Sequence, residues 1–286
     1  MAARVNAEHW AHRPLAGLDL ETDSADPADA HIITVGLAHW SPAHGLRRWS
    51  RVLRPTRPIP ADAAAVHGYT TERAEAEGMD PGQALTELAD ALDRAWTPAT
   101  PLVVYNAPFD LTIVDRELGR YFDGALEVGD RHVIDPFLID KQADKWRKGE
   151  RKLSVTCAHY GVVLDGAHEA LADVTASLEV ARRLGLRMAW PVGRYGRGAP
   201  GEIEARSVLA GGDPATLHAA QGPWFKGQAL SLAEYFRTPK AVDKIERDLA
   251  AGAITAERAA ELRSTLLTRA DDVEAHADGW PMRVRS

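Results

Sequence analysis

Three strand-like segments follow one another near the start of the chain, and the pattern then changes to alternating helices and strands. Residues 15–22, 32–40 and 46–53 are separated by turn residues and predict an antiparallel meander. Further strands are predicted at 102–105 and 132–135, between helical segments. This order predicts an α/β protein in which helices cover the faces of a mixed sheet.

Helical periodicity predicts most of the other elements. Apolar side chains recur at helical spacing over 83–96 and 170–186, and shorter helices are predicted at 61–66, 71–77, 109–118 and 153–160. We place the first domain at 13–188, because the Gly- and Pro-rich segment 189–214 predicts a linker or irregular arm. Residues 215–286 predict a helical C-terminal extension, with helices at 217–237, 241–250 and 255–268.

Composition excludes several classes of protein. The 286 residues contain no apolar run long enough to span a membrane, and the N-terminus has no apolar core of a signal peptide. The one cysteine, Cys157, fits a reducing compartment, so we expect a cytoplasmic protein without a membrane partner. A net charge of −7 is unlike that of a protein that coats duplex DNA, but it is compatible with an enzyme that binds a few nucleotides.

Two carboxylates share one face of the first predicted strand. Alternate residues of a strand point the same way, so Asp19 and Glu21 lie on one face, while Leu18 and Leu20 lie on the other. Two carboxylates held together repel each other unless a cation lies between them. Their hard oxygen ligands suit Mg²⁺ or Mn²⁺. Taken alone, the pair is also compatible with a solvated strand edge.

Asp110 falls where the buried strand at 102–105 gives way to a helix. Such junctions in open α/β sheets commonly bind ligands. The alternative is that Asp110 only stabilises the helix dipole. His168 and Asp173 form the third group, and a spacing of five does not place two residues on one helix face. If both serve one site, His168 precedes the helix and Asp173 lies in its early turns, an arrangement that the Asp165–Gly166 turn signal supports.

The three groups are more specific together than separately. Segments 18–22, 106–110 and 168–173 resemble the three motifs of the DnaQ-like, or DEDDh, 3′→5′ exonucleases, a family that includes the proofreading subunit of bacterial replicative DNA polymerase. Residues 66–70 are similar to a further signature of that family. The resemblance covers about residues 13–188, and it implies a ribonuclease-H-like fold and release of nucleoside 5′-monophosphates from a free 3′ end.

The resemblance also implies roles for individual residues. Asp19 faces two divalent cations, Mg²⁺ or Mn²⁺; Glu21 and Asp173 hold the ion that carries the attacking water, and Asp110 helps to hold the second ion. His168 is the expected general base. The expected substrate-binding residues are Thr22, His67, Asn106 and Phe109. Two positions depart from the family pattern: Asp23 stands where relatives often carry Thr, and Tyr105 where they often carry His.

The motifs do not by themselves distinguish between several possible substrates and partners. DNA is favoured over RNA as the nucleic acid, and the basic segment 141–152, which contains Trp146, could follow a phosphate backbone. A DNA polymerase and a sliding clamp are further candidate partners, the latter because residues 228–232 faintly resemble a clamp-binding peptide. The alternatives to a stand-alone DNA exonuclease are a proofreading subunit, an exoribonuclease and a catalytically dead binding module.

Overall fold

The computed structural model describes residues 8–188 and 200–283, and at its centre is a five-stranded mixed sheet. The strands are β1 (Leu15–Thr22), β2 (Ile32–Ser41), β3 (Gly45–Val52), β4 (Leu102–Val103) and β5 (Val133–Ile134). Their order is β3-β2-β1-β4-β5; the first three form an antiparallel meander, and β4 and β5 run parallel to β1. The predicted fold class, a mixed sheet with the first strand at its centre, is confirmed.

Eleven α-helices surround the sheet or form the C-terminal part of the described chain. They are α1 (Ala61–His67), α2 (Thr71–Glu77), α3 (Pro81–Ala95), α4 (Ala107–Phe122), α5 (Pro136–Ala143), α6 (Leu153–Tyr160), α7 (Ala170–Met188), α8 (Pro200–Gly211), α9 (Pro214–Phe236), α10 (Pro239–Ala250) and α11 (Ala256–Ala275). The helical C-terminal extension is therefore confirmed. None of the helices in the described ranges is long and apolar enough to cross a membrane.

Two helices, α5 and α8, were not predicted. The prediction of a linker or irregular arm at 189–214 is wrong for its second half, because α8 occupies Pro200–Gly211 and buries Ala205 and Leu209. A proline at the start and glycine at the end are typical bounds of a helix, and here they had been taken as signs of irregular chain. Residues 189–199 lie outside the described ranges, so the domain boundary near residue 188 stays a prediction.

The two faces of β1 pack against different helices. Its even-numbered residues Ala16, Leu18 and Leu20 join a core with α3 and α4. The opposite face lies against α7, which approaches closely because two positions lack a side chain. A Cβ on Gly17 would lie 2.8 Å from Val174 Cγ2, and a Cβ on Gly36 would lie 2.5 Å from the Ala170 carbonyl oxygen. These glycines therefore let the start of α7 reach the face that carries Asp19 and Glu21.

The C-terminal extension is joined to the sheet through α9. Leu217 and Trp224 are buried in the core that also contains Val174 of α7. The Gln221 amide oxygen accepts a hydrogen bond from Asp135 N (2.7 Å), and its nitrogen donates to the Val133 carbonyl (2.8 Å). The outer edge of β5 is thereby satisfied by a helix side chain, where a further strand would otherwise be needed.

Candidate active site

The central strand fixes the first two acidic side chains. Asp19 pairs with Gly36 and Glu21 pairs with Thr34 in the β1–β2 ladder, so both carboxylates lie on the face that α7 approaches. Both residues are half-buried. The strand alternation thus produces the shared face that the sequence predicted.

Asp110 reaches the end of β1 from the first turn of α4. Asn106 adopts a left-handed backbone conformation (φ 66°), which turns the chain sharply from β4 into the helix. The Asp110 side chain is only 5% exposed, and its Oδ1 accepts a hydrogen bond from Leu20 N at 3.1 Å. This contact ties the third carboxylate to the strand that carries the first two.

The third group has the predicted arrangement at the start of α7. His168 precedes the helix in a left-handed conformation (φ 69°) and is exposed, while Asp173 lies in the first turn. The His168 backbone N–H donates to Asp173 Oδ2 at 3.2 Å. Ligand atoms of Glu21, His168 and Asp173 all lie within 4.8 Å of one another.

Asp19, Glu21, Asp110 and Asp173 form what we call the carboxylate cluster. Burial raises the pKa of Asp19 well above its usual range, and the negative charges of the other three carboxylates raise it further. Burial, followed by the charge of Asp173, raises the pKa of Glu21 to about 8. Burial also raises the pKa values of Asp110 and Asp173. The four groups therefore sit close enough to oppose one another's ionisation.

The cluster fits a divalent cation. Among the described residues, no Lys or Arg forms an ion pair with any of its members. Asp173 Oδ1 is buried without a hydrogen-bond partner in the same described part of the chain, although buried polar atoms are normally satisfied. Carboxylate oxygens are the ligands that Mg²⁺ and Mn²⁺ prefer. A cation would satisfy the orphan oxygen and remove the repulsion that raises these pKa values.

The four predicted substrate-binding residues lie around the cluster at different depths. His67 is buried and accepts a hydrogen bond from Tyr69 N at Nδ1 (3.2 Å); its pKa is lowered by burial and by the neighbouring His168. Thr22 donates its hydroxyl to the Ser24 carbonyl at 2.9 Å. The side chains that flank Asp110, exposed Asn106 and half-buried Phe109, line one cavity beside α5.

Asp23 and Tyr105, the two residues that depart from the family pattern, both make structural contacts. Asp23 is buried and bonds to Arg57 Nε at 2.5 Å; burial alone would raise its pKa, but the hydrogen bonds from Arg57 hold it below its usual value. The Tyr105 hydroxyl donates to the Arg151 carbonyl and contacts Thr156 Oγ1. Burial raises the pKa of the Tyr105 phenol, so it stays neutral.

Asp135 was missed by the sequence analysis. It is 1% exposed, and its two oxygens accept hydrogen bonds from the backbone nitrogens of Asn106 and Ala107 (3.0 Å each), as well as from the first N–H groups of α5. It therefore fixes the turn that presents Asp110. The signal that could have found it is an Asp directly before a proline, Asp135–Pro136, which is typical of a helix start.

Comparison with known proteins gives one family match. The model of a family described as an exonuclease, RNase_T, matches residues 17–181. A DNA polymerase III subunit epsilon-like protein from Rhodobacter capsulatus is 28% identical over 138 residues, which cover 46% of this chain and 18% of that protein.

Solved structures share the fold at low sequence identity. Exonuclease I of E. coli in complex with a dT13 oligonucleotide aligns with a TM-score of 0.52 and 17% identity, over 59% of this chain and 40% of that one. Exonuclease I from Methylocaldum szegediense aligns with a TM-score of 0.51 and 18% identity, over 61% and 41%. The match thus spans well under half the length of each of these relatives.

Proposed function

The chain belongs to the RNase_T exonuclease family, and on that premise we propose that it is a metal-dependent 3′→5′ exonuclease that releases nucleoside 5′-monophosphates from single-stranded DNA. The observation that carries the proposal is the convergence of the carboxylate cluster with His168 at the end of the central strand. The proposed cofactors are two divalent cations, Mg²⁺ or Mn²⁺.

Each residue of the site has a proposed task. Bound divalent cations neutralise the scissile phosphate and make water a better nucleophile. Asp19, on the rigid central strand, is assigned as the ligand common to both cations. Glu21 and Asp173 would hold the cation that activates the attacking water, and Asp110, which accepts a hydrogen bond from Leu20 N, would help to hold the second cation. These assignments are the ones that the family resemblance implies, and the carboxylate cluster at β1 supports them.

His168 is assigned to proton transfer. Its side chain is exposed, and a ring nitrogen lies within 4.8 Å of carboxylate oxygens of Glu21 and Asp173. An imidazole side chain can accept a proton from an attacking water and is a common general base. Its exposed position before α7, where the backbone is left-handed, leaves the ring open to solvent and supports this role.

Two other functions are supported by specific observations. Similarity to a polymerase epsilon-like protein favours a proofreading subunit as the second candidate. The carboxylate cluster is equally suited to RNA, because it contacts the phosphate and leaves the 2′-hydroxyl to other residues. A sliding clamp stays a predicted partner; the peptide proposed for it lies inside α9, where the Gln228 amide contacts the Leu138 carbonyl at 3.3 Å.

A substrate panel tests the proposal. Purified protein with Mg²⁺ is given 5′-labelled single-stranded DNA, a duplex with a mismatched 3′ end, and RNA of the same sequence. We expect stepwise shortening from the 3′ end, fastest on single-stranded DNA, and resistance when the 3′ end carries a phosphate. Preference for the mismatched duplex together with co-purification of a polymerase favours the proofreading subunit, and preference for RNA favours the exoribonuclease. Release of the 5′ label as a mononucleotide contradicts the proposed polarity.

A further inference from the structure

A groove begins beside the candidate active site and runs between α5 and the C-terminal helices. It consists of two cavities of about 330 Å³ and 490 Å³ that share Lys141, Gln228 and Leu232. At its inner end lie Asn106 and Phe109, which flank Asp110 in the turn that opens α4. The inner end of the groove therefore lies at the turn that presents Asp110.

Positive charge dominates the lining of the groove. The cationic residues along it are Lys141, Lys145, Arg151, Arg269 and Arg283. Among the described residues that line it, the acidic one is Asp135, whose carboxylate is already occupied by backbone N–H groups. The whole chain has a net charge of −7, so the positive charge of this surface is opposite in sign to that of the protein. A surface of this kind favours a polyanion.

Three of these cations have no acidic partner among the residues that the structure describes. Arg151 pairs with Asp140, and Arg283 lies 3.5 Å from Asp272. In contrast, Lys141, Lys145 and Arg269 form no ion pair with a carboxylate within the described parts of the chain. Lys141 is also half-buried, and burial together with the charge of Arg151 lowers its pKa. A half-buried ammonium without an acidic partner is stabilised by an incoming anion.

Aromatic rings line both cavities beside the cations. Phe137 lines the inner cavity, with Lys141 Nζ 5.0 Å from its ring centroid. Tyr235 lines the outer cavity and is 44% exposed. Alternation of cations and aromatic rings is typical of surfaces that bind single strands, since the cations contact phosphates and the rings stack on bases. A duplex offers no unstacked bases to such rings.

We propose that this groove binds the single-stranded nucleic acid on the 5′ side of the terminal nucleotide held at the carboxylate cluster. Lys141, Lys145 and Arg269 contact backbone phosphates, and Phe137 and Tyr235 stack on bases. The C-terminal extension, through α9 and α11, is one wall of the substrate path. This inference rests on the proposed function, which supplies the 3′ end at the site.

Equilibrium binding tests the groove without chemistry. The probe is a 5′-fluorescein single-stranded oligonucleotide, measured by anisotropy in Ca²⁺ over a range of salt concentrations. The variant is Lys141→Ala/Lys145→Ala/Arg269→Ala. Each phosphate contact on a single strand contributes about −0.7 to the slope of the logarithm of the association constant against the logarithm of the salt concentration. Loss of three contacts should therefore make this slope less negative by about 2. The control, Lys240→Ala/Lys244→Ala/Arg247→Ala on α10, removes the same charge from residues outside the groove and should keep the wild-type slope.

Hydrolysis separates the groove from the active site. The p-nitrophenyl ester of thymidine 5′-monophosphate occupies the carboxylate cluster but is too short to reach the groove. The groove variant should hydrolyse this ester at the wild-type rate and lose kcat/KM on the oligonucleotide through a raised KM. RNA of the same sequence, tested in parallel, shows which nucleic acid the groove takes.

The failures of the two proposals are distinguishable. The proposal that the groove binds a single strand is refuted if the groove variant keeps the wild-type salt slope. It is also refuted if the wild-type protein binds no single strand. A wild-type protein that binds the oligonucleotide with the predicted slope difference but hydrolyses neither substrate refutes the proposed function and leaves the groove standing.

Discussion

His168 and Asp19 lie in one cluster, but we expect their loss to have different consequences. The contact between His168 and Asp173 uses the backbone N–H, so His168→Ala should preserve it and retain Mn²⁺ binding. The same variant should lower the rate by about 10²–10⁴, as loss of a general base does. Asp19→Ala should lose Mn²⁺ binding as well. Calorimetric titration of both variants, beside their rates, checks the assignment; equal loss of metal in both would make His168 a ligand instead.

The raised pKa of Glu21 predicts how the stability of the metal-free protein depends on pH. Its pKa moves from an ordinary 4.5 to about 8 on folding, so between these values the folded state holds more protons than the unfolded state. The free energy of unfolding contributed by this group therefore falls as pH rises through that window. Glu21→Gln should be increasingly more stable than wild type from pH 5 to pH 8 in chelator.

Thermal unfolding of the two proteins at several pH values measures this difference. Mg²⁺ should stabilise the wild type most at the alkaline end, where the carboxylates are ionised and bind it best. A stability difference that stays constant across the window would mean that Glu21 titrates normally in the folded protein.

Local pattern and the family resemblance together predicted the residues of the carboxylate cluster, but neither predicted Asp135. The strand alternation of Asp19 and Glu21 and the turn before Asp173 are features of consecutive residues. Asp135 acts on Asn106 and Ala107, which are 29 and 28 residues away in the chain. A hydrogen bond across that separation depends on how β4 and β5 pair, which no local pattern records.

At the level of elements, the close approach of α7 to the sheet depends on Gly36. Gly36→Ala places a Cβ 2.5 Å from the Ala170 carbonyl oxygen, which belongs to backbone and can move only with the helix. The start of α7, and with it Asp173, should be displaced. We expect a loss of about 1–3 kcal/mol in stability, as overpacking typically costs, and reduced activity even where the variant is folded.

Gly211→Ala is the matched control, because a Cβ there meets nothing within 4 Å at the end of α8. Denaturant unfolding and oligonucleotide hydrolysis are measured on both variants. Wild-type activity in a folded Gly36→Ala protein would contradict the role given to this contact.

The α9 contact with β5 gives a second prediction at this scale. Gln221→Leu leaves Asp135 N and the Val133 carbonyl buried without their side-chain partner. An unsatisfied buried group costs about 1–3 kcal/mol, so the free energy of unfolding should fall by at least that amount. Gln83→Leu, at an exposed position in α3, should leave it unchanged. Equal stability of the two variants in denaturant unfolding would show that the β5 edge does not need α9.

The sequence predicted elements well where periodicity and burial agree. The bounds of β1, α2 and α6 match their predictions; Thr70 caps the start of α2 and Gly78 follows its end, and Gly161 ends α6. The short helix α5 was missed because its charged residues, including Asp140 and Lys141, obscure its periodicity. In the structure Asp140 is buried against Arg147 and Arg151, so two of the six basic residues of segment 141–152 serve the fold.

At the level of the whole molecule, the C-terminal extension is part of the same folded unit as the sheet. The predicted division into an exonuclease domain and a separate extension followed from the glycines and prolines of 189–214. Leu217 and Trp224 nevertheless lie in one core with Val174, and Gln221 completes the edge of β5. The helical spacing of Gln221 and Trp224 predicts packing onto the catalytic domain, and that contact is confirmed.

The net charge of −7 is compatible with binding of a polyanion, because charge is distributed unevenly over the molecule. The carboxylate cluster holds four of the 41 acidic residues, and cations bound there would reverse the local field, while basic residues line the groove between α5 and α9. The protein can therefore be acidic overall and still bind a polyanion at its site.

We propose above all that the carboxylate cluster uses divalent cations to cut nucleic acid from the 3′ end. The most direct test follows the products of a 5′-labelled single-stranded oligonucleotide with wild type and Asp19→Asn, first in chelator and then with Mg²⁺ or Mn²⁺ restored. We expect no hydrolysis in chelator. Restoring the metal to wild type should give a ladder of 5′-labelled products, and Asp19→Asn should give no ladder. Full activity in excess chelator, or a wild-type ladder from Asp19→Asn, would contradict it.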